Sequence, residues 1–115
     1  MAYTFHIAKN RAAAARRPPC CALPEPVHEA IFERIREPRP DGTARELKCP
    51  LLNRCHDLYA DARFGGEELP LLRAEVQLLK AEFPRSADVL EFLACLERAC
   101  RDAKNGGLQL YGFGD

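Results

Sequence analysis

The chain has 115 residues, 47% of them hydrophobic and 30% charged, and its 17 basic and 17 acidic side chains cancel. That length and composition predict one globular domain around a single modest core. Zero net charge argues against a general nucleic-acid or anionic-membrane binder, and no run approaches the ~18 apolar residues of a membrane span.

The charge is uneven along the chain. Residues 1–24 carry Lys9, Arg11, Arg16 and Arg17 and no acid, whereas the remainder is mildly acidic. Four cations read as a solvated surface segment. The start lacks the apolar stretch of a secretory signal, so the six cysteines are expected as free thiols in a cytoplasmic protein. No pair is spaced C-x-x-C, and Cys49, Cys55 and His56 have poor spacing for zinc. Cys55, Cys95 and Cys100 are expected as buried structural thiols.

In chain order, residues 3–8 alternate Tyr3, Phe5 and Ile7 with Thr4, His6 and Ala8, which predicts a strand with His6 on its exposed side. Six of the nine prolines fall between Pro18 and Pro40, so residues 9–25 and 38–48 read as connections. Between them Pro26 suits a first helical turn, and Val27, Ile31 and Ile35 line one side of a helix with Phe32 adjacent.

From Pro50, the spacing of Leu51, Cys55, Leu58 and Ala62 predicts a second helix over about 50–63. A rival alternation of Leu58, Ala60, Ala62 and Phe64 suits a strand at its end. Gly65 and Gly66 stop this element. A third helix starts near Glu67, with Pro70 in its first turn and Leu69, Leu72, Val76, Leu79 and Phe83 on its apolar face. Ser86 reads as the N-cap of a fourth, whose stripe of Val89, Phe92, Leu93, Leu96, Cys100 and Ala103 is the widest. "NGG" closes it, and residues 108–113 alternate as a final strand. The reading is α+β: about four helices on one face of a small sheet formed by the N- and C-terminal strands, in a single domain over 1–115.

Chemistry is sparse. On a helix, Asp57 and Asp61 would stand one turn apart, with Arg54 one turn before Asp57. Cys55 and His56 are neighbours, so on a helix they diverge by about 100° and do not form a nucleophile–base pair. No G-x-S-x-G, H-E-x-x-H or phosphate-binding glycine motif is present. The ending "YGFGD" has two glycines but no helix after it, so it is not a phosphate cradle.

The segments "LLNRCHDLYADARF", "EELPLLRAEVQLL" and "GLQLYGFGD" resemble those of small uncharacterised bacterial proteins. There a D-Y-Y-x-D-A-like segment precedes an E-L-x-x-L-x-x-E-L helix and the chain ends G-L-x-L-x-x-x-D. Asp57, Tyr59, Asp61, Ala62, Glu68, Leu69, Leu72, Glu75 and Asp115 match, Leu58 replaces the first tyrosine, and residues 1–49 lie outside the resemblance. Such proteins are similar to immunity proteins of bacterial toxin systems, which cover a cognate toxin and block it. The resemblance implies a protein-binding module, not an enzyme, with no cofactor or metal. The expected binding surface is Asp57, Tyr59, Asp61, Glu67, Glu68, Tyr111 and Asp115, meeting a toxin or other protein partner. The alternative is a small structural or regulatory protein that forms a homodimer.

Overall fold

The computed structural model describes residues 2–36 and 49–114. The expected connection over 38–48 and the candidate contact Asp115 lie outside the described residues.

The fold is α+β. Strand β1 (Ala2–Ala8) leads to α1 (Arg11–Arg16), β2 (Cys21–Pro24) and α2 (Glu25–Arg36). After a 3-10 turn over Leu52–Cys55 come β3 (Ala62–Phe64), α3 (Leu69–Glu82), α4 (Ala87–Asn105) and β4 (Gln109–Phe113). The sheet is antiparallel in the order β2-β1-β4-β3. The terminal strands pair at its centre, with His6 opposite Tyr111 and Phe5 opposite Gly112.

The alternation that predicts β1 also divides the core. Tyr3 and Phe5 join Leu110, Phe64 and the helices α2, α3 and α4 in the main cluster. Ala8 faces the other way and packs with Ala14 of α1 and Tyr111. Residues 9–25 are therefore not a plain connection, as the prolines suggested: they hold a short helix and an edge strand. Asn10 caps α1 by accepting the Ala13 amide at 2.8 Å, and prolines occupy only its exit and the end of β2.

This second layer also corrects the exposed reading of His6. It is buried under α1, where Nδ1 donates to the Arg17 carbonyl at 2.9 Å and Nε2 meets the Thr4 hydroxyl at 3.0 Å.

Helix α4 is the central strut. Its buried side is Val89, Phe92, Leu93, Leu96, Ala99, Cys100 and Ala103. It ends with Gly107 in the left-handed region at φ 66°, while the Gly107 and Leu108 amides donate to the carbonyls of Lys104 (3.2 Å) and Ala103 (2.8 Å). That paired closure satisfies carbonyls the helix leaves open and turns the chain into β4. Helix α3 packs on α4, and Glu97 ties the two by accepting from Lys80 and, at 3.6 Å, facing Arg73. Arg34 of α2 holds Glu82 of α3 at 3.0 Å. Among the described residues no helix is long and apolar enough to cross a membrane.

Candidate functional site

The segment Pro50–Phe64 is not the single helix its Leu51/Cys55/Leu58/Ala62 spacing predicts. Glu75, buried on α3, accepts the amides of Leu51 (3.2 Å) and Leu52 (2.9 Å) and so caps a 3-10 turn. The helix then fails to propagate because Asp57 offers its own side chain to the backbone. Its Oδ1 accepts the Tyr59 amide at 2.8 Å, and its carbonyl accepts the Ala60 amide at 3.1 Å. Local capture of this kind by Asp competes with helical bonding. The rival alternation holds at the end: Ala62 and Phe64 face the core while Arg63 points away, in register with Tyr111.

This turn presents Tyr59. It is 73% exposed, the most exposed large hydrophobic residue among those described. The turn is clasped to the end of the sheet. A Cβ placed on Gly114 would lie 2.5 Å from the Leu58 carbonyl oxygen and 2.8 Å from the Ala60 nitrogen. Asp61 adds a second hold, since its Oδ1 accepts the Gly114 amide at 3.2 Å.

The carboxylates do not gather as expected. Asp57 and Asp61 share this turn, not a helix face, so the one-turn spacing is overturned. Asp61 pairs with Arg11 at 2.5 Å. Glu68 lies past the other end of β3, paired with Arg54 at 2.5 Å and accepting the Gly65 amide at 3.1 Å. The Arg54 guanidinium and then that amide hold the Glu68 carboxyl below its usual range. Arg54 also donates to the Arg63 carbonyl at 2.9 Å and lies 5.5 Å from the Phe64 ring centre. It therefore covers a backbone acceptor on the edge strand, which otherwise invites further pairing. Glu67 is exposed.

Tyr111 is a correction. It is buried in the layer under α1, and its hydroxyl donates to Gln109 Oε1 at 3.2 Å, so it offers no anchor at the surface. What remains exposed of the expected surface is Tyr59 on its fixed turn with Asp57 beside it, and Glu67 past the far end of β3, while Asp61 is already paired.

A cavity of about 240 Å³ lies between α2 and the 3-10 turn, lined by Glu25, His28, Glu29, Phe32, His56 and Leu58 among others. His28 spends Nε2 on the Cys55 carbonyl at 2.9 Å, and His56 spends Nδ1 on the Asn53 carbonyl at 2.8 Å. Burial pushes the Cys55 thiol up to about 12, so at neutral pH it is a protonated core residue. Among the described residues no group of three His, Cys, Asp or Glu is placed to hold a metal ion.

Two features escape the sequence reading. Glu75 organises the segment before Tyr59, and its signal was legible as an acid inside the apolar face between Leu72 and Val76. The glycines of "YGFGD" are the second: Gly114 admits the turn, and Gly112 lies against the Tyr3 ring. Comparison with known proteins adds no relative: no family model, curated protein or solved structure matches the chain.

Proposed function

We propose that this chain is a small protein-binding module, without catalytic activity, that occludes a partner protein in the manner of a toxin-neutralising immunity protein in the cytoplasm. Tyr59 carries the reading. A large amphipathic ring is held 73% exposed on a turn that is fixed by Asp57 and by contact with Gly114. An exposed aromatic on a rigid turn loses little conformational entropy on contact, and tyrosines are frequent anchors of protein interfaces. Asp57 and the Asp61–Arg11 pair supply mixed charge on the same turn, suited to orienting a partner with a basic rim. The resemblance of residues 50–115 to immunity-type proteins supplies the class of partner.

The test is neutralisation. Toxin candidates encoded beside this gene in its host are expressed with and without the protein, using wild type and Tyr59→Ala. Rescue of growth by wild type, lost with Tyr59→Ala at equal abundance and equal Tm, is the expected result. Absence of any toxin that the wild-type protein neutralises or binds contradicts the immunity reading.

A second reading has its own observation. Leu71 and Leu78 are 60% and 53% exposed, seven residues apart on α3. Such spacing aligns them on one stripe and favours a helix-mediated homodimer. Sedimentation of wild type against Leu71→Glu/Leu78→Glu separates the two readings.

A further inference from the structure

Three thiols meet where β2 crosses α4. Cys21 Sγ and Cys95 Sγ, both free thiols, are in direct contact at 2.7 Å. The Cys95 thiol also donates to the Cys20 carbonyl at 3.2 Å, and the Cys20 thiol to the Phe5 carbonyl at 3.3 Å. These three line an open cleft of about 550 Å³ together with Pro19, Pro24, Val27 and Phe92. Cys20 is exposed and the neighbouring Cys21 thiol lowers its ionisation, but its sulfur is turned to the Phe5 carbonyl; Cys95 is half-buried and is the thiol in direct contact with the buried Cys21 sulfur.

The other thiols are insulated. Burial pushes Cys49 up to about 11 and Cys100 up to about 12, and Cys55 behaves likewise. Reactivity towards oxidants follows thiolate character and access, which those three lack. Cys21 is also held protonated, first by the Cys20 thiol beside it and then by burial. It is the wrong sulfur to meet an oxidant but well placed to close a bond with Cys95.

We propose that Cys21 and Cys95 form a reversible oxidation site for hydroperoxides. Cys95 gives up its thiol proton and its sulfur attacks one peroxide oxygen. The O–O bond breaks, a sulfenic acid forms on Cys95, and the departing oxygen takes up a proton in place of the one Cys95 released and leaves as water or alcohol. The Cys21 sulfur then attacks the Cys95 sulfur. The S–S bond forms, the S–O bond breaks, and hydroxide leaves with the Cys21 proton as water. Both thiols are oxidised and the peroxide is reduced, two electrons in all. A dithiol reductant reverses the step by exchange. The bond joins the edge strand β2 to the central helix across 74 positions of sequence, so the oxidised protein melts at a higher temperature.

Full-length reduced protein is treated with hydrogen peroxide, alkylated, digested and mapped by mass spectrometry. The expected product is a monomer two mass units lighter, with Cys21 linked to Cys95, restored by dithiothreitol. Cys20→Ser keeps the link. Cys21→Ser leaves a sulfenic acid on Cys95 that dimedone traps. Melting curves confirm that each variant is folded. A wild-type protein that shows no Cys21–Cys95 link, or links Cys20 instead, overturns the proposal without reference to any variant.

Discussion

The ring of Tyr3 fills the space that a side chain at Gly112 would need: a Cβ there would lie 2.5 Å from Tyr3 Cε1 and 2.8 Å from its hydroxyl oxygen. The first and last strands are therefore fitted to each other by a large residue against none. Gly112→Ala should destabilise the protein by about 1–3 kcal/mol or more through overpacking. Chemical denaturation measures it. A loss below about 0.5 kcal/mol means that the sheet relaxes around the ring.

Tyr3 is buried, and among the described residues its hydroxyl has no well-formed hydrogen bond, only the weakly polar Cys55 thiol beside it. Burial, followed by the neighbouring Cys55 thiol, pushes its ionisation far above the ordinary tyrosine range. An unsatisfied buried hydroxyl costs about 1–3 kcal/mol. Tyr3→Phe keeps the ring and removes that cost, so it should raise stability by about 1 kcal/mol in the same assay.

Glu75 yields a pH prediction. Burial raises its carboxyl above 4.5, opposed by the hydrogen bonds from Leu52 and Leu51. The folded state therefore holds this proton more tightly than the unfolded chain does. The associated stability is complete below the unfolded value near 4.5 and is lost as pH rises through the higher folded value. Subtracting the stability of Glu75→Gln from that of wild type across acid to neutral pH should give a difference that falls with rising pH. Glu75→Ala leaves two buried amides unmet and should cost about 1–3 kcal/mol at neutral pH. A flat difference curve contradicts the buried-carboxylate account.

Leu93 and Leu96 are fully buried on α4. Leu93→Ala and Leu96→Ala should each cost about 2–5 kcal/mol from lost transfer energy and the cavity left behind. Leu71→Ala, on the exposed side of α3, should stay within about 0.5 kcal/mol of wild type. Thermal and denaturant unfolding of the three variants checks the contrast.

The framework was legible where one periodicity ran long enough. The stripes of α3 and α4, the alternation of Tyr3/Phe5/Ile7 and the glycines after Asn105 all reappear in the fold. Pro50–Phe64 was not legible, because a helical stripe and a strand alternation overlap on Leu58 and Ala62. A tertiary cap from Glu75 and the local Asp57 turn settled the choice; the acid within the α3 apolar stripe marks Glu75 as unusual, but neither the amides it accepts nor the Asp57 turn shows in spacing. His6 and Tyr111 were misplaced for one shared reason. The layer that buries them is α1, a six-residue helix inside an alanine- and proline-rich segment. Of the candidate site, Tyr59 and Asp57 stand exposed on one turn, but the acid pairs separate to either end of β3.

Tyr59 is expected to meet another protein. Replacing it with a photo-reactive p-benzoylphenylalanine and irradiating intact host cells tests that contact in place. Tyr59 is 73% exposed and belongs to neither buried core cluster of the described residues, so the variant should fold and melt as wild type does. The expected result is one discrete adduct between this chain and a different protein, competed away by excess wild type. Only uncrosslinked monomer, or an adduct of the chain with its own copy, would contradict it.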